Sequence, residues 1–129
     1  MIGGIGIDIV EIGRIHGMID KYQDQFLEKV FTPAEIKYCR GAALPQVHFS
    51  GRWAIKEAFY KALPMACQAF SRWKSVEILG SGESRKPVLS VIDSTLADAL
   101  RSAGIDGWHV SISHEKTHCV GMVVLEHLS

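Results

Sequence analysis

Asp8, Glu57 and Lys61 are the residues of this chain whose types and spacing suit phosphoryl transfer. Asp8 interrupts an isoleucine-rich run, MIGGIGIDIV, where a carboxylate must be solvated, paired or bound to a cation. Glu57 and Lys61 stand one helical turn apart in SGRWAIKEAFYKAL, Ser50 to Leu63. If Asp8 and Glu57 face each other, a bound cation removes their repulsion. Mg²⁺ suits one or two carboxylates plus phosphate oxygens and water. Lys61 would then reach a phosphate of the same substrate, in a reaction driven by positioning and charge neutralisation. Periodicity alone gives a plainer reading. Glu57 and Lys61 then form a solvated pair worth about 0.2–0.5 kcal/mol, and Asp8 lies near a strand end and caps the next helix.

Stepping along the chain gives the elements that position these groups. Ile2 to Val10 alternates with period two and reads as a strand buried on its Ile5, Ile7 and Ile9 face. Gly4, Gly6, Asp8 and Val10 share the other face, where the glycines leave room for something to approach. Ile12, Ile15, Ile19, Tyr22 and Phe26 predict one helix over roughly 11–27, with Arg14, Met18 and Lys21 outside. Thr32, Pro33 and Glu35 form a capping box that opens a short helix over 33–40. The helix bearing Glu57 covers roughly 47–63 and stops at Pro64. Its apolar side is Ala54, Ile55, Ala58, Phe59 and Ala62; Trp53, Lys56, Glu57, Tyr60 and Lys61 fall on the other.

Residues 64–74 read as a loop, 76–79 and 87–92 as strands joined by a polar turn. Asp93 or Ser94 caps a helix that Gly104 ends. Residues 108–113 and 118–126 read as a hairpin turned by HEKT. Strands and helices do not alternate regularly. The fold class is therefore α+β, a mostly antiparallel sheet packed with helices in a single domain over residues 1–129.

Composition excludes several classes. The 129 residues carry 14 basic and 14 acidic side chains, which argues against a nucleic-acid binder held by bulk positive charge. No apolar run approaches a membrane span, and the N-terminus lacks the basic leader of a signal peptide. Cys39, Cys67 and Cys119 are odd in number, far apart and without a CxxC, so they read as buried or inert thiols of a cytoplasmic protein. No HExxH, GxGxxG or Walker-type loop is present. Among the six histidines, His114 at a strand end is best placed to meet a ligand.

Four segments occur in order: GIGIDIVEIGRI, FTPAEIKYC, SGRWAIKEAFYKAL and HVSISHEKTHCVGMVVLE. Together they resemble the holo-acyl-carrier-protein synthases, the small bacterial class of 4′-phosphopantetheinyl transferases. The resemblance runs from the first strand to the last. It implies Mg²⁺-dependent transfer of phosphopantetheine from coenzyme A to a serine of an apo acyl carrier protein, leaving adenosine 3′,5′-bisphosphate. It implies that Asp8 and Glu57 hold the metal. Glu57, directly or through a metal-bound water, takes the serine proton, and Lys61 neutralises the leaving α-phosphate. Arg52 and His114 contact coenzyme A, with Ser113 and Lys86 nearby. It further implies a homotrimer with sites between subunits, Asp8 coming from one chain and Glu57 with Lys61 from its neighbour. Val120, Met122 and Val124 supply an apolar sheet surface compatible with that assembly. Because carrier proteins are acidic, Arg14, Met18 and Lys21 are the expected docking face.

Two departures matter. Pro64 stands where the family usually has a glycine-rich loop, and a proline offers no amide to a phosphate. Arg85 replaces the glycine of the family's GKP turn. They motivate an alternative, a module that binds coenzyme A or a carrier protein without chemistry. A third reading is an unrelated structural domain.

Overall fold

The computed structural model describes residues 1–81 and 86–128, Ser81 by its backbone alone. The turn bearing Arg85 lies outside them. The elements in order are β1 (Ile2–Glu11), α1 (Ile12–Tyr22), α2 (Asp24–Val30), α3 (Pro33–Arg40), α4 (Pro45–Ala62) and α5 (Met65–Gln68). A 3₁₀ turn (Trp73–Ser75), β2 (Val76–Ser81), β3 (Lys86–Val91), α6 (Ser94–Ser102), β4 (Ile105–His114) and β5 (His118–His127) follow. One antiparallel sheet has the order β1-β5-β4, and β2 pairs with β3 in a second. This is the expected α+β class.

Local signals set several boundaries. Thr32 Oγ1 accepts from Glu35 N while Thr32 N donates to Glu35 Oε1, which completes the capping box of α3. Asp93 accepts from Thr95 N and Leu96 N at the start of α6. Gly104, at φ 80°, takes the left-handed conformation that ends that helix. The first helix departs from expectation. Gln23 adopts φ 49°, and the chain restarts as α2. The break re-aims the chain so that Phe26, Leu27 and Val30 are buried with Ile12 and Ile15.

The orientation of β1 is also corrected. Its Ile5, Ile7 and Ile9 face is 56%, 59% and 65% exposed, while the glycine face packs inward. What approaches the glycines is the backbone of α4. A Cβ at Gly4 would collide with the Ala62 carbonyl, and one at Gly6 with that of Ala58. At Gly121 in β5 it would stand 2.6 Å from the Ala54 carbonyl carbon. Ala54, Ala58 and Ala62 recur every four residues, so small residues on both sides let helix and sheet meet backbone to backbone.

The opposite side of α4 is buried too. Ile55 and Phe59 pack with Ile78, Leu89, Leu96 and Leu100. Phe49 joins Phe31, Cys39 and the α1–α2 residues. Lys56, expected on the solvent side, lies inside. Its ammonium donates to Glu35 Oε1 (2.9 Å), Trp73 O (2.6 Å) and Val76 O (2.8 Å), which uses all three N–H donors. Glu35 also accepts from Ile78 N at 2.8 Å. The side chains are 1% and 0% exposed. Burial lowers the Lys56 pKa, and Glu35 opposes that shift. This pair ties α3, α4 and β2 together.

Two outcomes follow from these contacts. Lys56→Met leaves the Glu35 carboxylate buried without its cation and should cost about 3–5 kcal/mol in chemical denaturation. Gly6→Ala should cost about 1–3 kcal/mol or more through overpacking, read in the same experiment.

Candidate active site

Because α4 is buried on its other sides, Trp53, Glu57, Tyr60 and Lys61 form its open stripe. The close helix–sheet contact brings this stripe against Asp8 on β1. Lys61 Nζ donates to Asp8 Oδ1 at 2.9 Å and to Ile7 O at 3.3 Å. Lys61 is 51% exposed and Asp8 15%. Lys61 therefore pairs across elements with Asp8 instead of along the helix with Glu57. The hydrogen bond with Asp8 raises the Lys61 pKa. Two of its three N–H donors are occupied, which leaves one for an incoming anion.

Glu57 is half-buried beside Asp8. Burial first, then the Asp8 charge, raises its pKa, while Lys61 and Arg14 pull it down. The site thus holds two carboxylates that resist joint ionisation, with cations on either flank. All of it comes from one chain, which corrects the expectation that Asp8 and Glu57 belong to different subunits. No group of three or more His, Cys, Asp or Glu gathers for a metal among the described residues. A two-carboxylate donor set fits Mg²⁺, which keeps water and substrate phosphate oxygens on its other positions.

Arg14 on α1 lies with its Cζ 5.9 Å from the centre of the Trp53 ring, one turn before Glu57. Lys21 stands 5.2 Å from the ring of Tyr22, and Met18 is partly buried against the α1–α2 core. Beyond Glu57 opens a groove of about 710 Å³, lined by Tyr60, Trp73, Lys29, Arg72 and Lys74 among others. No sequence periodicity marks this groove, since Lys29 comes from α2 while Arg72 and Lys74 come from the start of the 3₁₀ turn and the turn itself.

The remaining expected residues lie elsewhere. Arg52 is buried, where Nε donates to Ile78 O at 3.1 Å and its Cζ sits 4.5 Å from the centre of the Tyr38 ring. Arg52, expected to contact coenzyme A, thus lies beneath the Tyr38 ring. Tyr38, His48, Leu79 and His114 line a second groove of about 970 Å³. Ser113 and His114 also border a shallower depression of about 330 Å³ with Ile9 and Val120. Lys86 is exposed at the start of β3. The groove beside Glu57 does not reach His114, and neither groove at His114 reaches Glu57. The three cysteines are buried and free, as expected, and burial pushes Cys39 up to about 12.

Known proteins of one family resemble this chain in sequence and fold. The family model of the 4′-phosphopantetheinyl transferase superfamily matches residues 4–120. The holo-(acyl-carrier-protein) synthase of Halothermothrix orenii is 42% identical over 127 residues, 98% of each chain. The crystal structure of that synthase from Neisseria meningitidis superposes with a TM-score of 0.83 at 30% identity, covering 98% of this chain and 99% of that one. The Bacillus anthracis synthase, solved in complex with CoA (3′,5′-ADP), gives 0.78 at 33% identity over 99% of both chains. The chain belongs to the holo-(acyl-carrier-protein) synthases of the 4′-phosphopantetheinyl transferase superfamily.

Proposed function

We propose that residues 1–129 form one catalytic domain that transfers the 4′-phosphopantetheine arm of coenzyme A to a serine of an apo acyl carrier protein. Adenosine 3′,5′-bisphosphate leaves, and the reaction depends on Mg²⁺. The observation that carries this reading is the Lys61–Asp8 pair beside Glu57, a carboxyl with raised proton affinity. Asp8 and Glu57 would hold Mg²⁺, which when bound would supply positive charge against the substrate's phosphates. Glu57 takes the serine proton as the hydroxyl oxygen bonds to the phosphorus carrying the pantetheine arm. The bond from that phosphorus to the bridging oxygen breaks, and its electron pair leaves with the nucleotide. Lys61 offsets the charge gained by that leaving phosphate.

His114, Ser113 and Lys86 contact the nucleotide portion, with Arg52 fixing Tyr38 below the same groove. Arg14, Met18 and Lys21 receive the acidic carrier. The working form is a cytoplasmic homotrimer. Support for assembly is the contiguous apolar outer face of Ile5, Ile7, Ile9, Val120, Met122 and Val124, which a monomer leaves to water. Assembly places the His114 groove of one subunit against the Asp8–Glu57–Lys61 cluster of another. No helix among the described residues is long and apolar enough to cross a membrane.

The test is to mix purified protein with apo carrier, coenzyme A and Mg²⁺, and to weigh the carrier by mass spectrometry. A mass gain of one phosphopantetheine is expected, abolished by EDTA. Glu57→Gln should reduce the rate about 10²–10⁴-fold. Coenzyme A binding without any gain in mass, across several carriers, would favour the non-catalytic module.

Stability gives a second readout of Glu57. Its pKa is raised on folding, so the folded chain holds that proton more tightly than the unfolded chain. Its contribution is full below the ordinary glutamate pKa of about 4.3 and is lost as pH rises through the folded value. Glu57→Gln should therefore melt higher than the parent at pH 7, with the gap closing near pH 4. Mg²⁺ should raise the Tm of the parent and not of the variant. For assembly, Ile7→Glu should shift the elution volume in size-exclusion chromatography to that of a monomer; an unchanged volume would remove the β-sheet face from the interface.

A further inference from the structure

Two of the three tryptophans stack directly beside Glu57. Trp53 on α4 and Trp73 in the 3₁₀ turn have ring centres 4.5 Å apart and planes inclined by 27°. The Phe26 ring of α2 lies 5.9 Å from that of Trp53, inclined by 32°. The Arg14 guanidinium lies 5.9 Å from the centre of the Trp53 ring. An arginine side chain otherwise carries about 2 kcal/mol of rotamer entropy, and the face of a tryptophan is the ring that best restrains a cation. Among the described residues Arg14 makes no ion pair within 4 Å, so the Trp53 ring, with the Glu57 charge nearby, is what restrains it.

We propose that Trp73 is a positioning residue for carrier docking: stacked on Trp53, it fixes the ring over which Arg14 is held, and so presents a preordered cation next to Glu57. This rests on the carrier-docking role of Arg14 in the reading above. Charge complementarity identifies the occupant of the surface as an acidic protein. Arg14 lies against the stack, Lys21 follows it two turns on along α1, and Lys29, Arg72 and Lys74 line the groove that Trp73 borders. The partner's serine must arrive between them, at Glu57. Ordering Arg14 before encounter lowers the entropic cost of association without changing the chemical step. Trp73 thereby acts on the KM for the carrier and leaves kcat and the KM for coenzyme A to other groups.

The experiment is steady-state transfer with apo carrier varied at saturating coenzyme A and Mg²⁺. Trp73→Ala should raise the carrier KM about three- to tenfold with kcat within about twofold, and Trp73→Phe should restore it. Arg14→Ala should raise the same KM in the parent and add little in the Trp73→Ala background. Trp73→Leu, which keeps apolar bulk without a flat ring, should behave like Trp73→Ala and covers the case in which the alanine variant unfolds. Tryptophan fluorescence should change on carrier addition in the parent, because an acidic partner group arrives at the Arg14 held over Trp53, and much less in Arg14→Ala. An unchanged carrier KM in the folded Trp73→Leu variant, or Arg14 and Trp73 effects that simply multiply, would overturn the proposal. Absence of transfer by the parent chain would instead overturn the reading of function on which it rests.

Discussion

The site depends on one close approach: the backbone of α4 resting on the β1-β5-β4 sheet at Gly4, Gly6 and Gly121. Any side chain at those positions would push the helix outward. Alanines at 54, 58 and 62 complete the contact from the helical side. Asp8 occupies the alternate position after Gly4 and Gly6 on the same face of β1, so it meets the edge of α4 at Lys61. A carboxylate from a strand and an ammonium from a helix reach 2.9 Å with only one long side chain between them. An exposed pair of this kind contributes little to stability, about 0–1 kcal/mol. The scaffold holds the pair together, and the pair does not hold the scaffold.

Consecutive residues on α4 have opposite roles. Lys56 is enclosed with Glu35, the Trp73 and Val76 carbonyls taking its other protons. Glu57 faces outward beside Asp8. A buried charge with every donor satisfied tolerates little rotation of its helix, since a shifted ammonium would lose several charge-assisted bonds at once. The direction of Glu57 is thereby fixed by its neighbour. The same network runs through the 3₁₀ turn that supplies Trp73, so helix phase and the aromatic stack over Glu57 share one anchor.

Much of this was legible from the chain. Thr32, Pro33, Glu35, Asp93, Pro64 and the 118–126 strand carried local signals with short-range causes, and the elements follow them. Asp8, Glu57 and Lys61 were legible as chemistry because a carboxylate among isoleucines and a Glu-x₃-Lys helix are unusual together. Period two in β1 marks alternating faces but does not say which is covered. Isoleucine reads as core, whereas the decisive partners are glycines matched to alanines on α4. Helical periodicity puts Lys56 on the solvent side because the groups that satisfy it come from distant segments. Gln23 hid the break between α1 and α2, since a left-handed glutamine lacks the signature a glycine would give. The Trp53–Trp73 stack joins residues separated by the whole of α5 and its loops, and no spacing rule connects them.

The position of Lys61 in the last turn of α4 has a further consequence. Helices that bind phosphate commonly do so at the N-terminus, where free amides and the positive end of the macrodipole face the anion. Here the lysine proposed to face phosphate stands at the negative end, and Pro64 just beyond contributes no amide. The helix dipole at this point favours the lysine and disfavours the phosphate. Anion affinity at this corner must then come from side-chain charge and any bound ion, acting across a partly exposed surface. Such affinity is sensitive to ionic strength on the scale of the Debye length, about 8–10 Å near physiological salt, in a way that an amide cradle is not.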